Sequence, residues 1–158
     1  MIFNLEGGGG KAKITYTGTH TTQTITSGGK KYLLYTLTGS GTLTIKGASK
    51  DTSIWLCGGG AAGKKASTIY GVGGGGGYAA SYSGKVTNGV YAIAIGAASG
   101  TTSFGSLVTA KGATGVNGGT GGGGYGKGDG IAKYPFADTA NFKCHCAGGG
   151  GGESKQYA

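Results

Sequence analysis

The chain contains no arginine, one proline, one tryptophan and three cysteines in 158 residues. Each shortage excludes something. Without arginine there is no donor for the bidentate phosphate and base contacts of nucleic-acid readers, and the lysines are dispersed, pairing only as in Lys30 and Lys31 or Lys64 and Lys65. The formal net charge of +9 therefore predicts solubility and weak attraction to anionic surfaces, with no nucleic-acid partner expected. A single proline, Pro135, and glycines without a strict every-third-residue period exclude a collagen triple helix. Three cysteines argue against a secreted disulfide framework, with a bridge from Cys57 to Cys144 or Cys146 left open. No window approaches the roughly 18 apolar residues of a membrane helix, and the opening MIFNLEGGGG lacks the basic start and apolar run of a secretory signal. A soluble chain made in the cytoplasm, with no membrane partner, is expected.

Charge is scarce as well. Charged residues make up 12% of the chain and hydrophobic ones 37%, which departs from the charge-rich composition of disordered chains and allows a thin core. A thin core in one chain points to an oligomer that supplies the missing burial. The carboxylates Glu6, Asp51, Asp129, Asp138 and Glu153 are scattered, and no two form a motif for paired acid and base work. Cys144, His145 and Cys146 are the one cluster of metal-ligand types, but strand alternation turns His145 away from its neighbours and the spacing is not that of a zinc site. GVGGGGG lacks the Gly-Lys-Ser/Thr ending of a phosphate loop. No enzyme, no metal and no cofactor are expected.

What the chain has is glycine, 41 residues of it. The runs Gly7 to Gly10, Gly58 to Gly60, Gly73 to Gly77, Gly121 to Gly124 and Gly148 to Gly152 interrupt strand-like sequence instead of separating domains. Backbones without β-carbons can pack closely and hydrogen-bond sideways, in the extended manner of polyglycine II. Between the runs the hydrophobic period is two. KYLLYTLTGSGTLTIKG places Leu33, Tyr35 and Leu37 on one face and resumes it at Leu43 and Ile45, which reads as a hairpin about the turn Gly39 to Gly41. KITYTGTHTTQTITSGG reads as a half-exposed strand ending at Ile25, and TSIWLCGGG as a short strand covered on both faces. GVYAIAIGAA sets Tyr91, Ile93 and Ile95 against small alanines, and TSFGSLVTAKG gives an apolar strand from Phe104 to Ala110. The expected fold is all-β, a small β-sandwich or jelly-roll-like domain of short strands with polyglycine-II-like loops. Residues 1–10 are expected as a glycine-rich arm and residues 11–158 as a single glycine-rich β domain.

The succession KYLLYTLTGSGTLTI, SIWLCGGGAAG, GGGGGYAA and VYAIAIGAASGTTSFGSLVTAKGATGVNGGTGGGGYG resembles the glycine-rich domain of bacteriophage tail and other virion structural proteins. MIFNLEGGGG is similar to the start of tail proteins from phages of Gram-positive bacteria. The resemblance covers about Tyr32 to Gly152 and implies a virion structural protein of a tail fibre, tail tip or baseplate, located in the virion and associated with other virion proteins. From the usual symmetry of phage fibres it implies a homo-oligomer, a trimer first. Family members follow the last glycine run with another apolar strand. Here AGGGGGESKQYA has none, which leaves either a sheet edge for another chain to complete or a polar terminus that frays.

Tyr70, Tyr78, Tyr82 and Tyr125 lie in or beside glycine-rich stretches. Two readings stand for them: exposed rings that contact a bacterial surface polysaccharide, helped by Lys64, Lys65 and Lys127, or rings that cap the glycine layers as core. Three alternatives to a tail role remain: a capsid decoration or head-fibre protein, a single-stranded nucleic-acid-binding protein that stacks bases on tyrosine, and an ice-binding glycine-rich protein.

Overall fold

The computed structural model describes residues 1–6, 13–47, 50–62, 70–72, 77–114 and 153–155, with backbone alone for 2–6, 50, 70–72 and 153–155. Among these residues every regular element is a strand: β1 (Ile2–Glu6), β2 (Lys13–Tyr16), β3 (His20–Ser27), β4 (Lys30–Leu37), β5 (Gly41–Lys46), β6 (Lys50–Cys57), β7 (Tyr70–Val72), β8 (Ala79–Val86), β9 (Gly89–Ala94), β10 (Thr102–Phe104), β11 (Val108–Ala110) and β12 (Glu153–Lys155). The chain is all-β, as the period-two pattern predicts. Two five-stranded antiparallel sheets, ordered β3-β4-β1-β6-β8 and β11-β10-β9-β5-β2, carry the fold. They are called here the first and second sheet. Tyr35, Leu37, Ile54, Leu56 and Val86 from the first meet Leu43, Ile45, Ile93, Phe104 and Ala110 from the second in one buried cluster, so the sheets form a β-sandwich.

Alternation decides which side chains enter that cluster. In β9, Tyr91 and Ile93 face the core while Ala92 and Ala94 are exposed. In β6, Ile54 and Leu56 point inward, yet Trp55 between them is only 2% exposed. Leu34 in β4 is likewise buried on the outward side, so at these positions the first sheet is covered on both faces, as the consecutive apolar residues of TSIWLC lead one to expect. Each large apolar side chain removed from water in this way contributes about 1.5 to 3 kcal/mol.

Strand partners are another matter. β4 and β5 are not a hairpin: β4 pairs with β3 and β1, whereas β5 pairs with β2 and β9. Thr38, Gly39 and Ser40 carry the chain from one sheet to the other, so Leu37 and Leu43 meet across the core instead of side by side. The half-exposed segment after Lys13 also breaks, with Thr17 to Thr19 passing it from β2 in the second sheet to β3 in the first. β4 instead forms a hairpin with β3, closed by Gly28 and Gly29, whose φ values of 56° and 75° suit a two-residue turn with both central residues left-handed. The single strand expected over Phe104 to Ala110 is two strands, β10 and β11, turning at Gly105 with φ 51°.

The two ends of the chain also differ from expectation. Residues 1–10, read as an arm, supply β1: Ile2–Glu6 lies inside the first sheet between β4 and β6. IFNLE has three large apolar residues in five, a composition that suits an interior strand. At the other end Glu153–Lys155 is not left unpaired, because its backbone pairs with β7 within the chain.

Candidate functional site

The strand ends at one pole of the sandwich converge on glycine. Gly58 to Gly60 leave β6, Gly77 and Tyr78 lead into β8, Ile95 to Thr101 link β9 to β10, and Lys111 to Ala113 leave β11. Their backbones bond sideways: the Gly58 amide donates to the Tyr78 carbonyl (2.9 Å), the Gly59 amide to Gly100 (2.8 Å), the Ser99 amide to Gly60 (2.9 Å) and the Ala113 amide to Gly59 (2.9 Å). The Tyr78 amide donates to the Lys111 carbonyl at 2.9 Å, which ties the first sheet to the second. These segments approach so closely that side chains have no room. A β-carbon on Gly58 would lie 2.7 Å from the Gly112 nitrogen, one on Gly100 2.8 Å from the Ala97 nitrogen, and one on Gly112 2.6 Å from the Gly100 carbonyl oxygen. On Gly59 and Gly77 it would overlap the carbonyl oxygens of Ala97 and Gly58. The runs Gly7 to Gly10, Gly121 to Gly124 and Gly148 to Gly152, and Gly73 to Gly76, lie outside the described residues.

Tyr78 and Tyr82 are both half-buried and pack against the core cluster. Tyr82 is not a loop residue: it sits inside β8, opposite Ile54, and its hydroxyl donates to the Lys85 carbonyl (3.2 Å). Tyr70 belongs to β7, which is described by its backbone alone. Tyr125, Lys64, Lys65 and Lys127, with Cys144, His145 and Cys146, lie outside the described residues. Of the predicted surface residues, only Tyr78 and Tyr82 have described side chains.

The described residues present a further candidate surface. On the outward face of the second sheet the register sets Lys13 opposite Lys46 and Thr15 opposite Thr44, and these four line a cleft of about 260 Å³. Both lysines are exposed. Like charges directly opposite on neighbouring strands oppose the pairing, so an anionic group between them would relieve the repulsion and find two hydroxyl donors beside it. Val90, 70% exposed, faces outward on β9 beside Thr44. The signal was present in the sequence as KIT and TIK, but only the pairing of β2 with β5 makes the two lysines neighbours.

At the corner where β2 turns into β3, His20 lies between two tyrosines, edge-on to Tyr16 at 5.3 Å and stacked on Tyr35 at 6.3 Å. The Tyr16 hydroxyl donates to the Gly39 carbonyl at 2.5 Å, fastening this corner to the β4-β5 crossing. Burial pushes the phenols of Tyr16 and Tyr35 above their ordinary range. Cys57, the last residue of β6, is half-buried. Among the described residues no group of three or more His, Cys, Asp or Glu side chains is placed to hold a metal ion.

No family model, no curated protein and no solved structure matches the chain.

Proposed function

We propose that the chain is a non-enzymatic structural protein of a bacteriophage virion, a component of a tail fibre, tail tip or baseplate that assembles with other virion proteins. The observation that carries the reading is where the phage-like segments fall. KYLLYTLTGSGTLTI and SIWLCGGG supply most of β4, β5 and β6, VYAIAIGAASGTTSFGSLVTA supplies most of β9 and all of β10 and β11, and Gly58 to Gly60 with Gly100 lie at the pole where the two sheets are tied together. A sandwich sewn shut by backbone is suited to bearing load without moving parts. Contact with an anionic surface polymer of the host is assigned to the Lys13 and Lys46 cleft and its threonines.

The test is labelling of virions with a gold-tagged antibody against this chain, followed by negative-stain imaging. Label at the tail end is the expected result. Label over the head moves the chain to a decoration or head-fibre role, and no label on intact virions removes the virion reading.

A further inference from the structure

Among the described residues, three outer edges of the sandwich are shielded and one is not. β11 lies against β8 and β6, so the outer strands β11 and β8 meet at the glycine pole. β2 is only four residues long and carries Lys13, a charge of the kind that blocks strand addition. β3 differs on every count. It is eight residues long, HTTQTITS, without lysine, carboxylate, proline or glycine, and His20 to Thr24 and Thr26 are exposed. Threonine-rich sequence of this kind favours the extended conformation.

The ladder fixes which backbone groups of β3 remain available. The Leu37 amide donates to the Met1 carbonyl at 2.9 Å and the Met1 amino group to the Leu37 carbonyl at 3.2 Å, so Leu37 turns its polar groups toward the β1 side. Alternation then turns those of Thr36 toward β3, where Thr36 stands opposite Thr21. The Thr38 amide, bonded to the Thr19 carbonyl at 3.0 Å, keeps the same phase. Thr21, Gln23, Ile25 and Ser27 therefore bond to β4, and the N–H and C=O groups of His20, Thr22, Thr24 and Thr26 point away from the sheet.

We propose that β3 is a homodimer interface: a second copy of the chain adds its own β3 antiparallel across a two-fold axis at Gln23, joining the first sheets of both copies into one. In this register Thr22 meets the second copy's Thr24 and His20 meets its Thr26, and each of these pairs exchanges both backbone bonds. Gln23 meets Gln23, and Thr21 meets Ile25. No like charges are opposed, which matters for a chain whose net charge is +9. A strand lacking charge offers nothing to an acidic or basic partner but is complementary to itself. A ring, such as the trimer expected from fibre symmetry, needs a second, different open edge to receive β3, whereas a two-fold needs only β3 itself. The inference does not depend on a virion role.

Light scattering coupled to size exclusion, across the micromolar range at physiological salt, is expected to give about twice 15.3 kDa. A monomer or a trimer overturns the proposal. The double variant Thr22→Lys and Thr24→Lys sets lysines opposite each other at both pairs and is expected to halve the mass with the melting temperature of the folded chain retained. A variant that folds and stays dimeric overturns β3 as the interface. Gln23→Cys provides a reading that does not require disruption, because the two-fold brings the two residues to a Cα separation of about 4.5 Å, within disulfide reach. Under mild oxidation it is expected to form a covalent dimer well above the wild-type background, and Ser27→Cys is not. Equal cross-linking of the two overturns the register.

Discussion

A glycine can be present because a turn needs its conformation or because a neighbour needs its space, and the described glycines separate on this basis. Gly28 and Gly29 have positive φ and open surroundings, whereas Gly59 has ordinary φ and the Ala97 carbonyl where a side chain would go. Gly59→Ala is expected to destabilise the fold by about 3 kcal/mol or more, since the obstacle is backbone and cannot rotate away. Gly89→Ala, whose new methyl would meet only the Tyr91 ring at 3.7 Å, is expected to be neutral or slightly stabilising, by up to about 1 kcal/mol. Urea melts of the two variants check the contrast, and equal losses would remove the close-packing account. The raised phenols of Tyr16 and Tyr35 give a second prediction at this scale. The folded state holds both protons more tightly than the unfolded state, so their stabilisation is complete below about pH 10, the unfolded value, and is lost as pH rises through the higher folded values. Stability measured across this range is expected to fall less steeply in Tyr16→Phe and Tyr35→Phe than in the wild type.

At the scale of elements, a glycine segment that is bonded on both sides behaves like a strand even where its residues have no strand propensity. Gly58 to Gly60 bond to Tyr78 on one side and to the 97–100 and 111–113 segments on the other. The amides of Gly58, Gly59, Tyr78 and Ala113 are accordingly expected to exchange with solvent as slowly as those of β6, despite lying in apparent loops. Complete exchange of these amides within the dead time of the measurement would mean that the pole opens independently of the sandwich. The same scale explains the misread hairpin. Alternation in KYLLYTLTGSGTLTIKG assigns Tyr35, Leu37, Leu43 and Ile45 to the core, and this is where they are. It does not say whether the turn between them stays within a sheet or crosses between two, because a three-residue connection suits either.

For the whole molecule, the question is which surfaces are left for partners once the core is filled. Tyr78 and Tyr82 pack on the core, so replacing either by alanine is expected to lower stability by about 2 kcal/mol while, under the proposed virion role, adsorption to host cells per folded molecule stays the same. Lys13→Ala with Lys46→Ala is expected to do the reverse: melting temperature held, adsorption reduced, and its dependence on salt weakened. Adsorption lost with the tyrosines and kept without the lysines would return the contact to the aromatic loops.

The sequence by itself determined the class of fold and most of the core, because period two with β-branched and aromatic residues leaves few alternatives to strands and names the side chains that must be buried. It also determined that the glycines of SIWLCGGG lie next to a strand, and gave the physical reason they could pack there. Only the tertiary structure decided which strands are neighbours. Strand pairing depends on contacts far apart along the chain, such as β1 entering between β4 and β6 or Lys13 meeting Lys46, and local pattern carries no information about sequence separation. The outer position of β3 among the described strands has the same origin: a run of threonines is legible as a strand, but whether it has one neighbour or two is a property of the assembled sheet.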